Sequence, residues 1–187
     1  CSATSAATVV SVSPNPVVNI SAAPYTRLYP GLSTTLTANV NPAGNYNYTW
    51  YRDNIPVPGA VSSTLPGIDP NKLGSYTVTV TNSSGLPCSN TSAALLISDS
   101  AVNKLFILPN PNNGKFDVLY HNIGTNTYTL KIYDSKGAYV FEKSYTLSAP
   151  YQRMEVNLRN AGRKGIYHIV LAGSGRNKLA TGKVLIQ

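Results

Sequence analysis

Leu105-Phe106-Ile107-Leu108-Pro109-Asn110-Pro111-Asn112-Asn113-Gly114-Lys115-Phe116 sets two apolar runs on either side of a block that cannot continue a strand's hydrogen-bond ladder. Proline has no amide proton and a fixed φ, so the block reads as a turn between two strands. Pro-Asn-Pro also stands at Pro14-Asn15-Pro16, so one copy alone marks no more than a strand boundary. Outward from this stretch the same writing continues. Apolar residues alternate through 105–108, 115–120, 127–133, 138–146, 153–158, 165–172 and 178–187, each run bounded by Asn, Gly or Pro. Tyr133 to Ala138 reads as a hairpin turn in which Gly137 supplies positive φ. Leu130, Ile132, Val140, Val156, Leu158, Ile169, Leu171, Val184 and Ile186 supply an alternating core. The expectation is a small antiparallel sandwich of about seven strands whose last strand, unusually for a chain end, is apolar enough to be paired and packed.

Composition agrees with an all-β chain. Tyr (13), Gly (14) and Pro (13) are plentiful among the 187 residues and only 12% are charged, a balance that favours strands and turns over helices. The length suits two small domains. No window approaches the roughly 18 consecutive apolar residues of a membrane-spanning helix, and no basic-then-apolar leader opens the chain. The true start of a secreted protein is therefore expected to have been removed by processing or cloning.

Charge is uneven. Up to Ser100 three basic residues balance three acidic ones, whereas beyond it twelve Lys and Arg face four Asp and Glu, so the whole +8 lies in the last part. Such asymmetry is a domain-boundary signal and a hint of an anionic partner, with a plain solvated basic face as the simpler account. Nucleic acid is not expected, because no binding motif accompanies the charge.

The order of parts in the last region carries a resemblance. An apolar strand, Pro109-Asn110-Pro111, Gly114, a strand ending Ile132-Tyr133-Asp134-Ser135-Lys136-Gly137, a late Gly165-Ile166-Tyr167 strand and the terminal Lys183-Val184-Leu185-Ile186-Gln187 together resemble the type A C-terminal sorting domain of the type IX secretion system, over about residues 104–187. The resemblance implies a folded export signal recognised through shape and exposed backbone. It also implies as partners the outer-membrane translocon and its surface peptidase, with an anionic surface lipopolysaccharide as a further candidate. Passage through the periplasm to the outer surface or the medium follows, with the chain a monomer. The sorting motif carried over is Pro109, Asn110, Pro111, Gly114, Asp134, Gly137, Gly165, Tyr167, Lys183, Val184, Leu185, Ile186 and Gln187. Ending on Gln187 rather than a basic residue is a departure from the family's terminal motif.

Residues 13–98 read as an immunoglobulin-like sandwich. Alternation marks Val17 to Ala22, Leu32 to Val40, Tyr46 to Arg52, Tyr76 to Thr81 and Ala93 to Ile97, with Trp50 about a dozen residues after Leu36-Thr37-Ala38. Tyr76 takes the tyrosine-corner place and Trp50 the inter-sheet core, while Ala38 and Val78 stand where antibody domains bridge cysteines. Pro30-Gly31-Leu32, Tyr48-Thr49-Trp50-Tyr51 and Gly74-Ser75-Tyr76 resemble the Ig-like repeats of surface proteins with type IX tails. Many of those place a cysteine where Tyr29 stands here, so Cys88 is either free or bonded to Cys1. Cys1 to Ser11 matches Cys88 to Ser98 almost position by position, so residues 1–12 read as the tail strand of a preceding, truncated repeat.

Residues 99–104 are polar and lack strand periodicity, which makes them the expected linker. Asp99-Ser100-Ala101 resembles a bacterial O-glycosylation signal, with Ser100 as acceptor, and the family's peptidase would cut in this same segment. No catalytic residues, metal ligands or cofactors are expected. His121 and His168 have no Cys, Asp or Glu at ligand spacing, and neither a nucleophile elbow nor a phosphate loop occurs. The expected function is export by the last domain with the Ig-like domain as spacer. The alternative is an adhesive or carbohydrate-binding module using Tyr25, Tyr29, Tyr46 or Tyr51, whose rings have flat apolar faces and polar tips.

Overall fold

A computed structural model describes residues 1–7, 15–84, 87–159, 164–175 and 177–187. Every regular element in it is a strand. The chain divides into two compact units, the first made of Cys1–Thr26 and Ser33–Ser98, the second of Arg27–Leu32 and Asp99–Gln187.

In the first unit, β1 (Val17–Ala23) pairs antiparallel with β3 (Thr34–Asn41), which pairs with β6 (Thr64–Ile68). The second sheet contains β4 (Tyr46–Arg52), β5 (Ile55–Pro56), β7 (Gly74–Asn82) and β9 (Leu95–Asp99) in the order β9-β7-β4-β5, with β8 (Ser89–Thr91) alongside β7. Alternation drives this arrangement. Along β3, Thr34, Leu36 and Ala38 are buried, and along β7, Tyr76, Val78 and Val80 are buried, so each strand gives one face to the core. Trp50 is fully buried between the sheets, and its indole N–H donates to the Ser62 carbonyl at 2.8 Å. The Tyr76 hydroxyl donates to the Lys72 carbonyl at 2.6 Å, four residues back. Ala38 and Val78, both buried, fill the bridging-cysteine places with packing.

Cys1 and Cys88 are free thiols, so the bond between them is not formed. Cys1 sits in an exposed stretch without secondary structure, whereas Cys88 is half-buried and held by its carbonyl, which accepts from the Asn82 amide at 2.9 Å. Of the expected tail strand over residues 1–12, Cys1–Ala7 form no strand and residues 8–12 lie outside the described residues.

The second unit holds β2 (Arg27–Leu28) and a sandwich. One sheet is β10 (Phe106–Leu108), β11 (Lys115–Leu119) and β14 (Met154–Asn157); the other runs in the order β13 (Tyr139–Leu147), β12 (Asn126–Tyr133), β15 (Gly165–Ala172), β16 (Lys178–Ile186). Fourteen buried residues form one core, among them Phe116, Val118, Leu130, Ile132, Met154, Val156, Tyr167, Ile169, Leu171, Val184 and Ile186. Residues 99–104 are held within this unit. The Asp99 carboxylate lies 2.6 Å from His121 Nε2, the Tyr151 hydroxyl donates to the Ser100 carbonyl at 2.5 Å, and the Tyr120 hydroxyl donates to Asn103 at 2.8 Å.

Candidate functional site

The sequence motifs lie far apart along the chain, and the second unit brings them to one end of its sandwich. Strand β16 is an edge strand whose inner face buries Val184 and Ile186, with 1% and 5% of their surface exposed. At roughly 1.5–3 kcal/mol per fully buried aliphatic side chain, those two residues alone anchor the chain end. On one side β16 pairs with β15, setting Tyr167 opposite Val184 and Gly165 opposite Ile186. Its other side is met by the Pro-Asn-Pro loop.

That second contact depends on the loop's composition. Pro109 and Pro111 have no amide protons, so the donors in this run come from the asparagines. An asparagine side chain carries one carbonyl and one amide group, the same pair that a peptide unit presents to a neighbouring strand. Asn110 Nδ2 donates to the Lys183 carbonyl at 3.1 Å, and Asn110 Oδ1 accepts from the Leu185 amide at 3.0 Å. The side chain thus imitates a strand. Asn112 continues the ladder with its backbone, donating to the Leu185 carbonyl at 3.0 Å and accepting from the Gln187 amide at 2.8 Å, in a parallel bridge to Ile186. Four hydrogen bonds, each worth about 0.5–1.5 kcal/mol net, therefore cover the outer edge of the last five residues.

The loop is braced from within. Asn112, buried to 8% exposure, donates through Nδ2 to the Pro109 carbonyl at 3.0 Å and accepts the Gly114 amide at 2.7 Å. Gly114 has φ +93°, and a Cβ added there would stand 3.1 Å from the Arg159 backbone nitrogen. Its carbonyl accepts the Leu158 amide at 2.7 Å, and a side chain where the loop turns into β11 would be both strained and tightly crowded.

Asp134 and Gly137 belong to the turn between β12 and β13 at the same end. Asp134 Oδ1 accepts the Lys136 and Ala138 amides, both at 2.8 Å, and the Asp134 amide donates to the Ala138 carbonyl at 2.9 Å. A hollow of about 330 Å³ at this end is lined by Asp134, Lys136, Val140, Lys164, Ile166 and Tyr167, among others. The turn and the start of β15 thus border one surface.

Residues 106–187 match the family described as the secretion system C-terminal sorting domain. The second unit carries this type IX sorting domain. Tails of this family mark proteins exported to the cell surface or secreted, and the match supports a secretion-sorting signal in residues 106–187. Among the described residues, no helix is long and apolar enough to cross a membrane.

No curated protein sequence matches the chain. Similar solved structures include three N-terminal domains of the bacteriophage RB49 highly immunogenic outer capsid protein, at 18% identity and TM-score 0.43, covering 92% of this chain and 59% of that one. Dimeric latent PorU from Porphyromonas gingivalis is similar at 14% identity and TM-score 0.34, covering 93% and 20%. A two-domain fibronectin type III segment of chicken tenascin is similar at 12% identity and TM-score 0.31, covering 93% and 99%.

The tyrosines singled out for sugar stacking do not share one surroundings. Tyr25 is exposed, Tyr46 donates its hydroxyl to the Pro42 carbonyl at 2.8 Å, and Tyr51 is half-buried in β4. Tyr29 belongs to the second unit, where its ring stacks on Phe106 at 5.6 Å with the Lys104 ammonium 5.7 Å from its centre. Ser100 is half-buried, with its amide donating to the Leu28 carbonyl at 2.8 Å. What the sequence did not disclose is the role of Asn112 and the joining of the Pro-Asn-Pro loop to the last strand. The available signal was the pair of prolines, which leaves asparagine as the hydrogen-bonding partner.

Proposed function

We propose that the sorting domain is read as a preformed shape whose decisive part is the end where the Pro-Asn-Pro loop clamps the terminal strand, and that the first unit acts as a spacer. The observation that carries this reading is the pair of bonds from the Asn110 side chain to Lys183 and Leu185. A terminal strand that frayed would present a different surface in every molecule, and the clamp gives the exporter one surface to recognise. The peptidase that separates tail from cargo would then work on a domain that is already folded. In the first unit, a buried Trp50 and a closed sandwich suit a rigid module that carries cargo away from the surface.

The test is the full 187-residue chain fused behind a periplasmic reporter in a type IX-competent strain. Wild-type chain is expected to bring the reporter to the surface, removal of Lys183 to Gln187 to leave it in the periplasm, and Asn110→Ala to fall between. Surface display that survives removal of the last five residues would refute the reading. A chain whose first unit is deleted should still be exported, with the reporter less accessible to antibody at the cell face.

A further inference from the structure

Resting on the export reading, we infer that the exporter contacts the sorting domain through side chains on the outer face of the β13-β12-β15-β16 sheet, and that its docking surface is a protein patch of carboxylates around an aliphatic centre. The backbone edge of the last five residues is not available for strand addition, because Asn110 and Asn112 already occupy it. Recognition of the terminal strand therefore falls to the side chains it shows to solvent.

Register identifies them. With Leu130, Ile132, Tyr167, Ile169 and Val184 turned into the core, the intervening residues Lys131, Tyr133, Ile166, His168, Lys183 and Leu185 line the opposite face, His168 beside Lys183 and Ile166 beside Leu185. Ile166 is 49% exposed and Tyr139, across from Tyr133, is 58% exposed, so water meets apolar surface here. Lys136 and Lys164 stand at the same end around the 330 Å³ hollow, and Lys178 borders a second hollow on this face with Lys131 and Glu142.

The charges on this face are matched by few acids. Its two carboxylates are engaged, Glu142 with Lys131 at 3.7 Å and Asp134 with the amides of its own turn. The other sheet differs. There Asp117 stands opposite Glu155, and Arg153 lies 3.3 Å from Asp117, so acid and base offset each other. Excess positive charge is thus gathered on the face that also carries the exposed aliphatic residues, and complementarity calls for an acidic partner. Branched aliphatic side chains such as Ile166 and Leu185 gain by excluding water against other aliphatic side chains, which favours protein over polysaccharide as the occupant.

Two charge-matched pairs test this in the full-chain reporter fusion. Lys136→Glu with Lys164→Glu alters the proposed face; Lys115→Glu with Lys143→Glu makes the same change in net charge around the hollow that also contains Glu155. The first pair is expected to lower surface display about tenfold and to accumulate folded fusion in the periplasm, the second to stay within about twofold. Lys136→Gln with Lys164→Gln, and separately Ile166→Ser, should each give an intermediate loss without introducing repulsion. Equal export of the two charge-reversed pairs overturns this face alone, whereas wild-type chain that never leaves the periplasm overturns the export reading as well. Purified chain is also sedimented with vesicles of phosphatidylcholine and phosphatidylglycerol: binding abolished by the first pair alone would assign the face to a lipid surface and overturn the protein partner, and indifference to vesicles supports it.

Discussion

Trp50 and Tyr76 hold the first unit by donating to carbonyls 12 and 4 residues away, at Ser62 and Lys72. Asn110 holds the second by bonding to Lys183 and Leu185, 73 and 75 residues away. Both units are antiparallel sandwiches with fully buried cores, so the contrast is not between a stable and an unstable design. It lies in which part of the chain is made secure. The Ig-like unit fixes its middle, around one tryptophan. The sorting domain places its longest-range polar contacts at its end, so that the last strand is ordered.

The largest effect should come from the middle of the first unit. Trp50→Ala removes the biggest fully buried side chain and is expected to cost about 3–5 kcal/mol, read as loss of hydrogen-exchange protection at the Val78 and Val80 amides. Protection of Leu171 and Val184 in the sorting domain should hardly change; joint loss of protection in both units would show that they do not open separately. Next comes Gly114→Ala. Positive φ and the approach to the Arg159 backbone predict a penalty of about 1–3 kcal/mol. Chemical denaturation followed by exchange in β11 and β16 should register it, while fluorescence of Trp50, the chain's one tryptophan, should not.

Asn110→Ala sharpens the comparison further, because it deletes two bonds and leaves the core intact. A loss of about 1–2 kcal/mol is expected, with faster exchange at the Leu185 amide. Unchanged protection at Leu185 would mean that burial of Val184 and Ile186 suffices. Its counterpart in the first unit, Tyr76→Phe, gives up the bond to the Lys72 carbonyl and should cost about 1 kcal/mol.

How far the sequence discloses this contrast depends on the kind of contact. Strands built on strict alternation stand close to where period-two reading puts them: β12 at Asn126–Tyr133, β15 at Gly165–Ala172 and β16 at Lys178–Ile186. Strand β6, Thr64–Ile68, is hidden because Pro66 and Gly67 sit in its middle and read as breakers, and β2, β5 and β8 are too short to show a period. Trp50 and Tyr76 were legible because their spacing is local to known strand pairs. The bond from Asn110 to Leu185 was not, since pattern carries no information about which loop meets which edge across 75 residues. Tyr29 makes the same point: its place in the first half of the sequence gives no sign that it groups with Asp99–Gln187 and stacks on Phe106.

The smallest expected effect is one of pH, and it too belongs to the sorting domain. Tyr145 donates its hydroxyl to the Glu155 carbonyl, and burial, with the nearby Glu155 and Asp117 carboxylates adding to it, pushes its pKa up to about 12. The folded state therefore needs the protonated phenol, whereas in the unfolded chain the same group ionises near pH 10. Between those values the native form binds more protons than the unfolded one, so the stabilising contribution is complete below about pH 10 and is lost as pH rises toward 12. Tyr145 keeps part of its surface in water, so screening holds the loss well under the limit set by the shift. Tyr145→Phe cannot ionise and should lower stability at pH 8 by about 1 kcal/mol through the lost bond, yet flatten the decline in urea midpoint above pH 10. Part of that slope must remain, because Tyr128, Tyr139 and Tyr151 in the same unit are also raised, with burial the largest cause in each. A variant with an unaltered alkaline slope would place the titration on those other tyrosines instead.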